Sequence, residues 1–309
     1  MRAAAVLVAR LNCGCGVDHM KNISFAVPSV TRKITAVSGG SWRSGYPLAA
    51  AVAHPVRLGY PAQSTDAQTA STQGLFVLDA PRPISVVALV NHNLTPDAIW
   101  RVKFYSDAAG SVEIAGSGTG DLEAWGVVKP FGTALWGTPE VWNGKPGPET
   151  RAAFVPTAIA NLSGLVLARS FRLEIEDTDN PDGLVRIGHV EVAAQWSASR
   201  NYDYRANLGF RDRSLITEAA GGAQYGEKRR NPRVFEGVIR NLPKDEAMGL
   251  ALDMQRSQAT TEPVLVQIDA DDVVHGQRLS MLARLRALNG IEHGHYNKFD
   301  FPFQIEEVL

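Results

Sequence analysis

Val87-Ala88-Leu89-Val90-Asn91-His92-Asn93-Leu94-Thr95 is one of two stretches whose reading decides the fold; the other is residues 174–192, EIEDTDNPDGLVRIGHVEV. Each is an apolar strand pattern that runs into a polar turn. Strands of this kind flank them. Trp100, Val102 and Phe104 alternate with Arg101, Lys103 and Tyr105, and Phe171, Leu173 and Ile175 alternate with Arg172, Glu174 and Glu176. A period of two puts successive side chains on opposite faces, so each strand has one buried and one wet face.

Pro181-Asp182-Gly183 reads as a turn, since proline pre-sets φ at one turn position and glycine accepts positive φ at another. The returning strand buries Val185 and Ile187, then Val190 and Val192. That change of phase at Gly188-His189 predicts a β-bulge, because an inserted residue would bring both pairs to one face. Together the two stretches sketch the middle and the closing hairpin of a jelly-roll β-sandwich, and the fold class is mainly β. Residues 116–156, with turn chemistry every few positions, read as a long elaborated loop.

A chain of 309 residues has room for two domains. Hydrophobic residues make up 45% and charged residues 20%, the composition of a globular rather than a disordered protein. Lysine plus arginine (31) nearly cancels aspartate plus glutamate (32), and a net charge of −1 gives no electrostatic reason to expect nucleic acid or an anionic membrane as partner. The only cysteines, Cys13 and Cys15, exclude a disulfide framework and supply too few thiols for a structural zinc. The start, MRAAAVLVARLNCGCG, imitates a signal peptide, but Arg10 interrupts its short apolar run. Residues 1–20 are read as an extension that packs on a neighbour, with KNISFAV (21–27) as the start of the fold. No stretch approaches the ~20 apolar residues that span a bilayer.

Residues 197–214 are polar with no sustained apolar face, which places a boundary there and divides the chain into 21–197 and 198–309. Beyond it, residues 233–240 read as a strand. Pro243 then starts a helix over about 244–258, with Ala247, Leu250, Ala251 and Met254 on one face. Val264, Val266 and Ile268 begin another strand, and residues 277–288 fit helix or strand. The chain ends in a strand with Phe299, Phe301, Phe303 and Ile305 on one face; so apolar a strand must be paired, by its own domain or by a neighbour. The second domain is a smaller β-rich sandwich or barrel with one helix.

No residues point to a reaction. There is no G-x-S-x-G elbow. His92, between two asparagines, has no carboxylate neighbour to raise its basicity, and a local backbone turn explains it better than a general base. His275, His293 and His295 with Asp269, Asp271 and Asp272 make a metal site only on paper. IDADD (268–272) lacks the glycine and the closing glutamate of a calcium loop. GSGTG (116–120) is a hairpin tip, not a dinucleotide fingerprint. KRRNPR (228–233) reads as a solvated loop or a salt-bridged interface. Glu218, Glu227 and Glu236 have no motif that would pair them as glycosidase acids. Trp125, Trp136 and Trp142, set among glycines, either stack on a sugar or anchor a partner, or form a satellite cluster under the loop.

VALVNHNLT, the WRVKFY strand and the closing EIEDTDNPDGLVRIGHVEV hairpin resemble the discoidin-type, galactose-binding-like jelly rolls of long-tailed bacteriophage tail proteins. The second domain, ending in FDFPFQIEEVL, is similar to the hub or distal-tail domains of such phages, though in the opposite domain order. The resemblance implies a non-enzymatic virion protein of the tail tip or baseplate, made in the host cytoplasm. It implies a homo-oligomeric ring of six-fold or three-fold symmetry, in contact with tube, hub and fibre proteins. The jelly roll would meet fibres or a host-surface glycan, and Phe299, Phe301, Phe303 and Ile305 would serve subunit contact. No cofactor is implied. Two other classes remain open: a stand-alone carbohydrate-binding protein, and a glycan-degrading enzyme with a binding module.

Overall fold

The structure, a computed structural model, describes residues 22–129, 132–133, 136–137 and 140–309; the N-terminal extension with Cys13 and Cys15 lies outside the described residues. In chain order its strands are β1 (Ser24–Phe25), β2 (Ile34–Ser38), β3 (Ala62–Gln63), β4 (Gly74–His92), β5 (Ile99–Tyr105), β6 (Leu122–Glu123), β7 (Thr157–Glu176), β8 (Arg186–Ala193), β9 (Trp196–Ser197), β10 (Asn207–Phe210), β11 (Leu215–Glu218), β12 (Gln224–Glu227), β13 (Arg233–Pro243), β14 (Pro263–Gln267), β15 (Ser280–Leu285), β16 (Glu292–His295) and β17 (Lys298–Glu307). The protein is mainly β, as expected.

The first half is a sandwich made by two long strands that each serve both of its layers. β4 begins in one layer, where Leu75, Phe76 and Val77 lie between β2 and the C-terminal part of β7. It ends in the other, where residues 86–90 lie between the N-terminal part of β7 and β8. The register of β4 on β7 slips between Val77 and Arg82 and again between Ile84 and Val86, and these irregularities let the strands turn the corner. β5 and β6 extend the first layer and β3 the second.

The alternation read from the sequence is what fills this sandwich. Trp100, Val102 and Phe104 pair across β5 and β7 with Ile175, Leu173 and Phe171. All six are buried in one core with Phe76, Leu89 and Val190. Phe76 and Phe171 stack at 4.8 Å. On the wet face of the same ladder, Arg101 binds Glu176 (2.8 Å) and Asp121, and Lys103 binds Glu174 (3.0 Å).

The expected phase change on β8 is real, since Ile187 and Val190 face the same core. The bulge predicted to cause it is absent: the pairing of β8 with β4 keeps one register from Val86↔Ala193 to His92↔Ile187. Asn91, in the left-handed region at φ 57°, reverses β4 opposite Gly188, so both strands change face in step and no residue is inserted.

The second half is built on one sheet in the order β10-β13-β17-β15-β14-β1-β9, with β16 on β17. β1, expected to open the jelly roll, belongs here instead: it pairs with β14 and β9, and Ile23, Phe25 and Trp196 sit in the second core. Its partners are stacked rings, with Phe25 on Trp196 at 5.4 Å. The helix forms where expected, over 244–258, but with a π-helical turn at Ala247–Ala251. That wider winding keeps Ala247, Ala251 and Met254 on the core and swings Leu250 outward to 40% exposure, against expectation. The ambiguous segment holds both structures, a short helix Gly276–Leu279 and then β15.

The final strand corrects a functional expectation. β17 is an inner strand, paired with β13 along most of its length and with β15. Phe301, Phe303 and Ile305 are buried in the chain's own core and Phe299 packs against it. Side chains consumed by that core have no surface to offer a neighbouring subunit. Where β13 meets β17, Arg233 and Glu307 form a buried bidentate pair at 2.6 and 3.0 Å.

The two halves share a third cluster. Val86, Ala88 and Val90, on the outer side of the second sandwich layer, pack against Leu265 and Leu282 of the second sheet. This is why β4 loses its alternation there and reads as a continuous apolar run. His189 and Glu191 are buried on the outer side of β8 and bind each other at 2.9 Å, with Ser29 Oγ donating to Glu191.

Candidate functional site

The polar turns that end the two signature stretches meet. Asn93 accepts the N–H of Arg186 (2.7 Å) and donates to Leu184 O (3.0 Å). Thr95 N–H and Asn180 Nδ2 both donate to the Asp177 carboxylate, at 3.1 and 2.7 Å. Short amide and carboxylate side chains here serve the backbone of neighbouring turns. His92 lies inside this knot. Its Nδ1 accepts the Leu94 N–H at 3.3 Å, and burial pushes its pKa down to about 3. A base must hold a proton near the working pH, so His92 is a neutral structural ring and not a general base.

The three tryptophans do not form one platform. Trp125 is buried, edge-to-face with His92 at 5.4 Å, and donates from Nε1 to Leu94 O at 2.8 Å. It is a strut of the sandwich core, which corrects its assignment as a contact for sugar or partner. Trp136 is 88% exposed on the 116–156 loop. The Trp142 side chain lies outside the described residues.

The acids and histidines weighed as sites are used locally. Asp269 and Asp272 accept backbone N–H groups of Asp271 and His275, and His293 stacks on Phe299 at 4.7 Å. Among the described residues no three His, Cys, Asp or Glu side chains gather as a metal site. Glu218 and Glu227 stand exposed on the β11–β12 hairpin, and Glu236 faces Arg286 at 3.5 Å. In KRRNPR, Arg229 binds Glu227 while Arg233 is the buried partner of Glu307, so this run is salt-bridged.

The sequence reading missed an open groove of about 610 Å³ between residues 114–119 and 161–167. The register of β7 on β4 runs from Ile84↔Val166 to Val86↔Asn161, so residues 162–165 have no partners and stand out from the sheet. Leu165 and Leu167 are 64% and 60% exposed along this excursion. The facing turn is fixed by exchange with β5: Val102 N–H donates to Thr119 Oγ1 and Thr119 N–H to Val102 O, both at 3.0 Å. GSGTG supplies its bends, with Gly116 and Gly120 at φ 72° and 67°. The groove thus has an apolar ridge of leucines beside the hydroxyls of Ser163 and of Ser117, which donates to Ile114 O at 2.6 Å, while the Asn161 amide at its end is paired in both directions with Gln267 (3.0 and 2.9 Å). The one local signal was Ser163-Gly164, turn chemistry inside a strand pattern.

No family model matches the sequence, and no curated protein matches it. Among solved structures, it is similar to a family 32 carbohydrate-binding module from C. perfringens in complex with galactose. That match has 9% identity and a TM-score of 0.36, over 56% of this chain and 99% of that one. A fucose-binding module of Streptococcus pneumoniae matches at 13% identity and a TM-score of 0.33, over 53% and 93%. The lectin binding domain of lectinolysin with Lewis b matches at 15% and 0.34, over 53% and 94%.

Proposed function

We propose that this protein is a non-catalytic carbohydrate-binding protein whose saccharide lies in the groove between residues 114–119 and 161–167. One observation carries the reading: the groove sets exposed Leu165 and Leu167 beside the hydroxyls of Ser117 and Ser163. A pyranose has apolar C–H faces and a rim of hydroxyls, so it needs a surface of this mixed kind. The groove is lined by no acid that could cleave a glycosidic bond.

Calorimetry of the full chain against neutral sugars, beginning with galactose, fucose and Lewis b, tests it. Leu165→Asp and Leu167→Asp are expected to weaken binding at least tenfold while leaving the melting temperature unchanged. Undiminished affinity in both variants, or no binding to any sugar, overturns it.

A role as an assembly protein, such as a component of a phage tail tip, is favoured by a different observation. Among the described residues the β11–β12 hairpin pairs only with itself and is exposed throughout, carrying Leu215, Ile216 and Tyr225. Beside it in sequence, the edge strand β10 exposes Leu208 and Phe210. A free apolar ribbon next to an open edge suits docking on a second copy of the chain. Light scattering tests this: an oligomer that falls to single chains when residues 215–227 are replaced by a short Gly-Ser linker supports it, and a wild-type chain that stays single at tens of micromolar overturns it.

A further inference from the structure

The geometry points to a second binding site, an oxyanion site for an acidic saccharide, in the cleft between the two halves. The cleft has a volume of about 450 Å³. The jelly-roll half contributes Arg57, held in place because the next residue, Leu58, is buried in the shared cluster. The other half contributes Arg211, Arg213, Arg284 and Arg286. Against these five guanidinium side chains the lining has two side-chain carboxylates, Glu306 and Glu307, a side-chain charge of +3 where the side chains of the whole sequence total −1; Leu309, the last residue of the sequence, lines the cleft beside them.

The carboxylates are already engaged. Glu307 is held by Arg233, which does not line the cleft, and Glu306 is shared by Arg211 (3.1 Å) and Arg213. Among the described residues the ion-pair partner of Arg286 is Glu236, at 3.5 Å. Arg57 and Arg284 have no ion pair among the described residues, and the Arg284 Nε is buried without a hydrogen-bond partner. Like charges gathered in one cleft repel, and an arriving anion removes that cost. Guanidinium is planar, stays charged and donates in a fork that fits carboxylate, sulfate or phosphate oxygens.

The remaining lining narrows the ligand. Val56, Leu58, Leu285 and Val308 are aliphatic and the cleft has no aromatic ring on which a nucleobase would stack. A bounded cleft on a nearly neutral chain does not follow a long polyanion. Its volume exceeds that of a free inorganic anion and suits one or two sugar rings bearing acid groups, with Thr260 available to a ring hydroxyl. This site shares with the groove reading only the class of ligand.

The test is calorimetry of the full chain against a tetragalacturonate (carboxylate only) and a heparin-derived tetrasaccharide (sulfate and carboxylate), at low and at 300 mM salt. Binding to at least one, weakened by salt, is expected; which one binds separates the two acid groups. Arg57→Gln, on an exposed loop, and Arg284→Gln should each weaken it at least tenfold. Leu165→Asp, in the other groove, should leave it unchanged, while neutral-sugar binding should survive Arg57→Gln. Acidic-sugar binding that depends on Arg57 in the absence of any neutral-sugar binding would uphold this site and sink the groove. Absence of binding to both acidic probes, equal affinity in Arg57→Gln, or equal binding of a single-stranded DNA 12-mer overturns the proposal.

Discussion

Asn91 and Gly188 face each other across β4 and β8, and a Cβ placed on Gly188 would lie 2.8 Å from Asn91 Cβ and 3.0 Å from Val90 O. The asparagine takes the left-handed conformation and its Nδ2 donates to Leu58 O at 2.8 Å. This pair turns both strands over together and so decides which residues of the closing hairpin reach the core.

Gly188→Ala should therefore cost about 1–3 kcal/mol, the range for overpacking, since neither the Asn91 Cβ nor the Val90 carbonyl can move without its strand. Urea denaturation monitored by tryptophan fluorescence measures it. A variant as stable as the wild type would show that the two strands can part without strain.

Arg233→Ala and Glu307→Gln each leave one member of a buried ion pair uncompensated. The expected loss is about 3–5 kcal/mol for the charge left alone, smaller when the neutral glutamine keeps part of the hydrogen bonding. The double variant Arg233→Met, Glu307→Leu should recover much of it. A double-mutant cycle in chemical denaturation checks both statements.

His92 makes the fold sensitive to acid. Its folded pKa, pushed down by burial to about 3, lies below the ordinary histidine value of about 6.5, so the unfolded chain takes up a proton first as pH falls. This contribution to stability is complete above pH 6.5 and declines toward pH 3, by at most about 1.4 kcal/mol per pH unit. His92→Phe should be less stable at neutral pH, since the Leu94 N–H loses its acceptor, yet show a flatter dependence between pH 6 and 4. Parallel slopes for the two proteins would refute the assignment.

Trp125→Ala should destabilise by about 3–5 kcal/mol, because the ring fills core volume and satisfies Leu94 O. Trp125→Phe should fold and bind saccharide as the wild type does. A selective loss of binding in that variant would return Trp125 to the site.

Replacing residues 215–227 by a short linker should shift stability by less than about 0.5 kcal/mol, the scale of surface changes away from packed features. Thermal unfolding compared with the wild type, at low protein concentration, reads it directly.

Residue order alone determined the buried and wet faces of β5 and of the C-terminal part of β7: Trp100, Val102 and Phe104, and Phe171, Leu173 and Ile175, went where their alternation placed them. It also determined the Asn180–Gly183 turn, the helix over 244–258 and the local backbone bonding of His92, because these depend on neighbours a few residues away. Tertiary structure alone decided the partners. It placed Ser24–Phe25 in the far sheet, buried Trp125, turned the last strand inward, and pushed residues 162–165 out of register to make a groove. It also gathered Arg57 with Arg211 and Arg284 from opposite halves of the chain. Periodicity is a property of one strand, whereas pairing and burial depend on which distant surface that strand finds.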